Sequence, residues 1–428
     1  MSTEQTRRHF LQTSLASTSL ALGGMSAIPG STLLLAADQK PKEKMPVAAV
    51  VTVYHRNAHA DVIVGKVLEG WRQDGGPGPD LKLVSMYTDQ VPQSDLSIPM
   101  SKKHGFRLTK TIEEALTLGT GSLAVGGVLI IGEHGKYPMT PDTQQVMHPR
   151  RRFFDEVVAT FRKYNKIVPI FNDKHLSYAW ADAWHMYETA KKMHIPFMAG
   201  SSVPVAWRSP STTIPLGAEV TEAVALGYGP LEHYGFHALE GMQCLLERRK
   251  GGETGVKSVQ AVQGDEILKA RDAGRWSQEI FDAVVAVSPT PYYGKVPRPK
   301  QMAKDAVFYL IDYRDGTKAT VAMGTGFTHE FSCALKIRNS PKPFALTYVM
   351  QDESPFAQFE HLLRAIEQMF QTGKAVYPIE RTLLTTGILD AALHSLAAKS
   401  KQLDTPELAV AYQPVDWPFP QGKLWRYP

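Results

Sequence analysis

The chain has 428 residues, 47 Lys and Arg against 42 Asp and Glu, a formal net charge of +5 and 43% hydrophobic residues. Cations dispersed among carboxylates exclude the concentrated basic face that nucleic-acid binding requires, and the length exceeds what one core usually holds, so two domains are expected. The cysteines are Cys244 and Cys333; a fold of this size does not need a disulfide, and two buried thiols are the expected state.

The first segment, Thr6-Arg7-Arg8-His9-Phe10-Leu11-Gln12, precedes a weakly apolar run from Thr13 to Ala37. A paired arginine before such a run reads as a twin-arginine signal peptide over residues 1–37, an address for export to the periplasm or beyond. Ser14, Ser17, Ser19, Ser26 and Ser31 interrupt the run, so the mature chain is expected to carry no transmembrane span.

From Val47 to Val53 a β-branched run reads as a strand buried on both faces. A helix over 60–71 follows, then a strand over 81–87, a helix over 112–118, a strand over 125–131, a helix over 151–164, a strand over 167–171, a helix over 179–193 and a strand over 196–199. This alternation argues for a Rossmann-like, doubly wound parallel sheet over residues 38–204. After Pro204 the pattern changes. A helix carries His233, His237 and Leu245, and strands over 306–312 and 319–323 flank Arg314-Asp315-Gly316-Thr317, a hairpin signature. Strands over 331–337 and 344–349 and helices over 356–370 and 379–397 complete an α+β domain, residues 205–404, with a largely antiparallel open sheet. Residues 405–428, with prolines and Trp417, Trp425 and Tyr427, read as an extended tail that wraps the surface.

Three motifs within this element order resemble the Gfo/Idh/MocA family, the glucose-fructose oxidoreductase and inositol dehydrogenase group. The first strand runs into Val51-Thr52-Val53-Tyr54-His55-Arg56-Asn57-Ala58-His59, matching the family's glycine-rich turn with Val51, Val53 and Arg56 at the glycine positions and His59 kept. Glycines there let backbone N–H groups approach a pyrophosphate, and a valine puts methyls in that space. Asn172-Asp173-Lys174-His175 is similar to the family's Glu-Lys-Pro, with Lys174 retained. Glu232-His233-Tyr234-Gly235-Phe236-His237 resembles Asp-x-Gly-x-His, with His233 in place of the Asp.

The resemblance implies a sugar or polyol substrate in a cleft between the domains, Lys174, His233 and His237 as acid-base groups, and a homo-oligomer built through the C-terminal sheet. It implies NAD or NADP as cofactor, with Val53, Tyr54, His55, His59, Glu133, His134 and Asp173 around it. His233 and His237, one helical turn apart, could equally join His55 and His134 around a divalent metal. The alternatives to an exported oxidoreductase are a cofactor-free or metal-assisted sugar lyase or hydrolase, and a non-catalytic carbohydrate-binding protein. Arg150-Arg151-Arg152 is expected to be a solvated helix start, and Trp207 either lines the cleft or packs between domains.

Overall fold

The computed structural model describes residues 43–288, 305–324, 328–351 and 353–422; the expected signal peptide over 1–37, Trp425 and Tyr427 lie outside them. The first half runs β1 (Met45–Val51), α1 (His59–Glu69), β2 (Leu81–Thr88), α2 (Ser97–His104), β3 (Arg107–Thr109), α3 (Ile112–Thr117), β4 (Gly127–Ile131), α4 (Arg150–Tyr164), β5 (Ile170–Asp173), α5 (Trp180–Lys192) and β6 (Phe197–Gly200). All strand pairs are parallel, in the order β3-β2-β1-β4-β5-β6. The direction of strand addition reverses between β1 and β4, where doubly wound sheets open a crevice at the carboxyl ends of the strands.

Both faces of β1 are apolar because both are covered. Ala48 and Val50 pack with Phe153, Phe154 and Val157 of α4, while Val47, Ala49 and Val51 pack with Val62, Ile63 and Val64 of α1. The first expected strand ends at Val51 rather than Val53, and Val53 and Tyr54 turn into the core as buried loop residues.

The second half runs through a 3-10 turn (Val203–Val205), β7 (Trp207–Ser209), β8 (Val220–Gly227), α6 (His233–Leu246), β9 (Val256–Gln263), α7 (Asp265–Asp272), α8 (Gln278–Val287), β10 (Val307–Tyr313), β11 (Lys318–Met323), β12 (Phe331–Ile337), β13 (Phe344–Val349), α9 (Gln358–Thr372), α10 (Ile379–Ala397) and β14 (Leu403–Asp404). Its eight-stranded sheet has the order β14-β9-β10-β11-β8-β12-β13-β7 and is antiparallel except where β11 meets β8. The Asp315-Gly316 turn joins β10 to β11, with Asp312 opposite Lys318 and Gly316 at φ 88°, where glycine is favoured.

One face of this sheet holds α6 and α10. On the other, Trp276 and Ile280, Phe281 and Val284 of α8 cover Val224, Leu226, Phe308 and Leu310. Although α9 is late in the chain, it returns to the first sheet, and its Phe359, Leu362, Ile366 and Phe370 join the cluster around β1 and α1. Burying each such side chain contributes about 1.5–3 kcal/mol, so this helix ties the two halves together. In the described part of the tail, Tyr412 bridges to Glu253, and Asp416 pairs with Arg248 at 2.7 Å. Cys244 and Cys333 are buried free thiols. Among the described residues no helix is long and apolar enough to cross a membrane.

Candidate functional site

The crevice between β1 and β4 is where the chemistry-bearing residues meet. Lys174 follows β5 directly, with its backbone N–H donated to the Gly200 carbonyl at 3.1 Å. Its φ of 64° is left-handed, a conformation that costs a residue with a Cβ about 1–2 kcal/mol, and it sends the side chain inward. Only 4% of that side chain is exposed.

The Lys174 ammonium pairs with one carboxylate and donates to two imidazoles. Nζ lies 3.1 Å from Glu133 Oε1, 3.1 Å from His59 Nε2 and 3.3 Å from His237 Nε2. A lysine ammonium donates and cannot accept, so both imidazoles must present a bare Nε2. Their other nitrogens agree with that assignment. His59 Nδ1 is 2.9 Å and 2.8 Å from the two carboxylate oxygens of Asp173, and His237 Nδ1 is 2.6 Å from Ser201 Oγ. Each ring is therefore an Nδ1–H tautomer, fixed by the partner behind it, an assignment that rests on the bonding network. Ser201 Oγ also accepts the Val203 N–H at 3.0 Å, which anchors it after β6.

Gly200 makes room for this arrangement. A Cβ at its φ of 124° would stand 2.6 Å from Glu240 Oε2 and 2.8 Å from Thr382 Oγ1. Burial raises the Glu240 carboxyl above its ordinary range. Burial, then the Lys174 ammonium, hold the His237 imidazole well below its usual range, so it is an acceptor at neutral pH. In Glu133, burial pushes the carboxyl up, but neighbouring His59, Lys174 and His134 and the His59 N–H outweigh that and hold it well below the usual carboxylate range.

Behind this centre lies a second cluster. Arg150 at the start of α4 is fully buried, not solvated as its sequence context suggests, and its Nη1 donates to His175 Nδ1 at 2.9 Å. His233 does not reach Lys174 by a hydrogen bond. It lies 3.8 Å from Glu232, and its ring is 5.9 Å from that of His148. Burial, then the charges of Lys174 and Arg150, lower the His233 pKa to about 4, and burial beside Arg150 lowers that of His148 to about 2. Both are neutral at pH 7 and lack the charge to pair strongly with Glu232.

The residues assigned to a cofactor divide in two. His59, Glu133 and Asp173 belong to the shell around Lys174, as above. Val53 and Tyr54 are buried, and His55 sets its ring edge-on to His134 at 5.6 Å. His55, His134, His233 and His237 are not gathered around one point. Among the described residues no group of three or more His, Cys, Asp or Glu side chains is arranged to hold a metal ion. Trp207 packs edge-on against His361, with centroids 4.6 Å apart. Sequence reasoning did not single out Ser201, Asp61 or Asp95. Ser201 carries a weak signal, a small polar residue just past a strand; Asp61 and Asp95 carry none.

A nicotinamide dinucleotide would place its pyrophosphate at the start of α1. Four N–H groups there are taken: Tyr54 N–H bonds Asp95 at 2.7 Å, Asn57 N–H bonds Asp61 at 2.9 Å, Ala58 N–H bonds the His55 carbonyl at 3.3 Å and His59 N–H bonds Glu133 at 2.8 Å. This bend as it stands does not fit a pyrophosphate.

No family model and no curated protein sequence matches the chain. Solved structures do match in three dimensions. GenD2 from gentamicin A biosynthesis, solved in complex with NAD, is 13% identical with a TM-score of 0.54, covering 89% of this chain and 99% of that one. An apo scyllo-inositol dehydrogenase from Lactobacillus casei is 10% identical with a TM-score of 0.51, covering 85% and 99%. An oxidoreductase from Agrobacterium radiobacter, solved with NAD+, L-tartaric acid and magnesium, is 13% identical with a TM-score of 0.50, covering 84% and 98%. The chain thus has the fold that its motifs anticipate, a Rossmann-like parallel sheet followed by a largely antiparallel α+β sheet, shared with these proteins over nearly their whole length.

Proposed function

We propose that this chain is a divergent, exported member of the Gfo/Idh/MocA group that takes a sugar or polyol into the β1/β4 crevice and moves a proton at a carbon beside one of its oxygens through Lys174 and His237. The observation that carries this reading is the buried Lys174 ammonium, paired with Glu133 and hydrogen-bonded to His59 and His237. A ligand carbonyl that replaces one of those partners takes a proton from Nζ while His237 Nε2 takes the proton of the adjoining carbon, giving an enediol, and the reverse step in D2O returns deuterium to that carbon. Asp173 and Ser201 hold the two rings so that their lone pairs stay aimed at Nζ. Tyr234 lies edge-on to His237, with centroids 6.1 Å apart, and Tyr228 is stacked on Phe331; such aromatic faces suit the C–H surface of a sugar ring.

The oxidoreductase reading draws support from fold-mates solved with NAD or named as dehydrogenases. Proton transfer without a nucleotide, as in a lyase, would use the same Lys174 centre, and a non-catalytic sugar-binding protein would use the same crevice. One experiment separates them. Incubation with a panel of aldoses, ketoses and inositols in D2O, without nucleotide, is expected to give deuterium exchange at a ligand carbon followed by NMR. Reduction of added NAD+ in place of exchange would establish the redox reading, and a thermal shift with neither would leave binding alone. Export belongs to the same proposal through Arg7-Arg8 and is checked by fractionating cells that express the Arg7→Lys, Arg8→Lys variant. Association through the C-terminal sheet, whose outer face α8 partly covers, is read from the mass in solution.

A further inference from the structure

We infer that Glu133 is a built-in counter-anion at the start of α1, and that it and two neighbouring carboxylates keep nicotinamide dinucleotides out of this bend. This exclusion holds whichever ligand the crevice takes.

The start of a helix presents unbonded N–H groups and the positive end of the helix dipole, which together bind anions. In α1 the first N–H, that of His59, is donated to Glu133 Oε2 at 2.8 Å. The same carboxylate reaches Lys174 Nζ at 3.1 Å and His134 Nε2 at 3.4 Å. Thr52 Oγ1 accepts the Glu133 backbone N–H at 3.1 Å and fixes the residue over the crevice. An anion site with a helix terminus, an ammonium and an imidazole is therefore complete, and its anion comes from the chain itself.

Two further carboxylates guard the bend. Asp95 accepts from Tyr54 N–H and from Ser97 N–H at 2.8 Å, and Asp61 from Asn57 N–H. Both are nearly fully buried. Arg56 is largely exposed and already 3.5 Å from Asp61. A pyrophosphate brings two negative charges and would meet three carboxylates on groups that otherwise favour phosphate. It would also have to displace hydrogen bonds that are charge-assisted, and hence strong.

The test uses the full chain purified without its signal segment. Titration of the unsubstituted protein with NADH and with NADPH, followed by nicotinamide fluorescence, is expected to give no saturable change up to about 1 mM. Glu133→Ala opens the anion site, so sodium formate is expected to raise its unfolding midpoint by about 2 °C over sodium chloride at equal ionic strength, with no such difference in the unsubstituted protein. Saturable NADH or NADPH binding in the micromolar range would overturn the inference, and so would a folded Glu133→Ala indifferent to formate. If Glu133→Ala does not fold, Glu133→Gly assayed with formate present throughout takes its place, and the titration of the unsubstituted protein decides by itself.

Discussion

Replacing Lys174 by methionine is expected to lower ligand deuterium exchange by about 10²- to 10⁴-fold, the usual worth of a positioned acid-base group. Methionine keeps the length of the side chain but offers nothing to Glu133, His59 or His237, all of which contact Nζ. The companion change Lys174→Arg separates charge from proton transfer. A guanidinium keeps the cation beside Glu133 but does not give up its proton in a protein, so ligand binding should survive and exchange should not. Circular dichroism and the unfolding midpoint report whether each variant is folded. Exchange within twofold of the unsubstituted rate in a folded Lys174→Met would remove the lysine from the chemistry.

The largest effect on stability is expected at Arg381. Its guanidinium, on α10, forks onto Glu247 at the end of α6, with Nε 2.8 Å from Oε2, and Tyr412 of the tail donates to the same Oε2 at 2.9 Å. Arg381 and Glu247 are 5% and 1% exposed, so water cannot compensate a lost partner. Arg381→Met should therefore destabilise the fold by about 3–5 kcal/mol, the cost of stranding a buried charge. A double change, Arg381→Met with Glu247→Met, removes the stranded carboxylate and should recover much of that loss. Urea unfolding of the three proteins measures both quantities. A single variant within about 1 kcal/mol of the unsubstituted protein would mean that the pair adds little to holding α6, α10 and the tail together.

Much of the fold could be read from local pattern, and the exceptions have physical causes. The strands over 331–337 and 344–349 and the helix over 379–397 fall where their residue patterns place them. The strand β9 was not legible, because its valines 256, 259 and 262 recur every third residue and mimic a helix, and its burial alternates irregularly. The central strand β8 is rich in alanine and ends in glycine, which lowers its strand propensity. In contrast, α8 carries a readable local signal: Ser277 caps it by accepting the Ile280 N–H, and Ile280, Phe281 and Val284 share one face. The return of α9 to the first sheet depends on packing at long sequence separation, which no local pattern encodes.

The site divides the same way. Lys174 and His237 were legible from motifs at a strand end and on one helix face, and the structure brings them within hydrogen-bonding distance. His59 stands among the cofactor residues because it matches the histidine of the family's turn. Its contact with Asp173, 114 positions later, exists only once β1 and β5 stand in one sheet. His233 shared a helix face with His237 on paper, yet one turn of helix carries it past Lys174 to His148. Spacing on a helix fixes a direction, and what waits in that direction is set by the other elements.

The account stands on one arrangement, a lysine ammonium that donates to the Nε2 atoms of both His59 and His237. Nitrogen-15 NMR of the protein with labelled histidine, resolved by comparison with His59→Gln and His237→Gln, measures it directly. Both rings should carry their proton on Nδ1 at pH 7, with Nε2 unprotonated. A proton on Nε2 of either ring would contradict the arrangement, because Lys174 could not then donate to it.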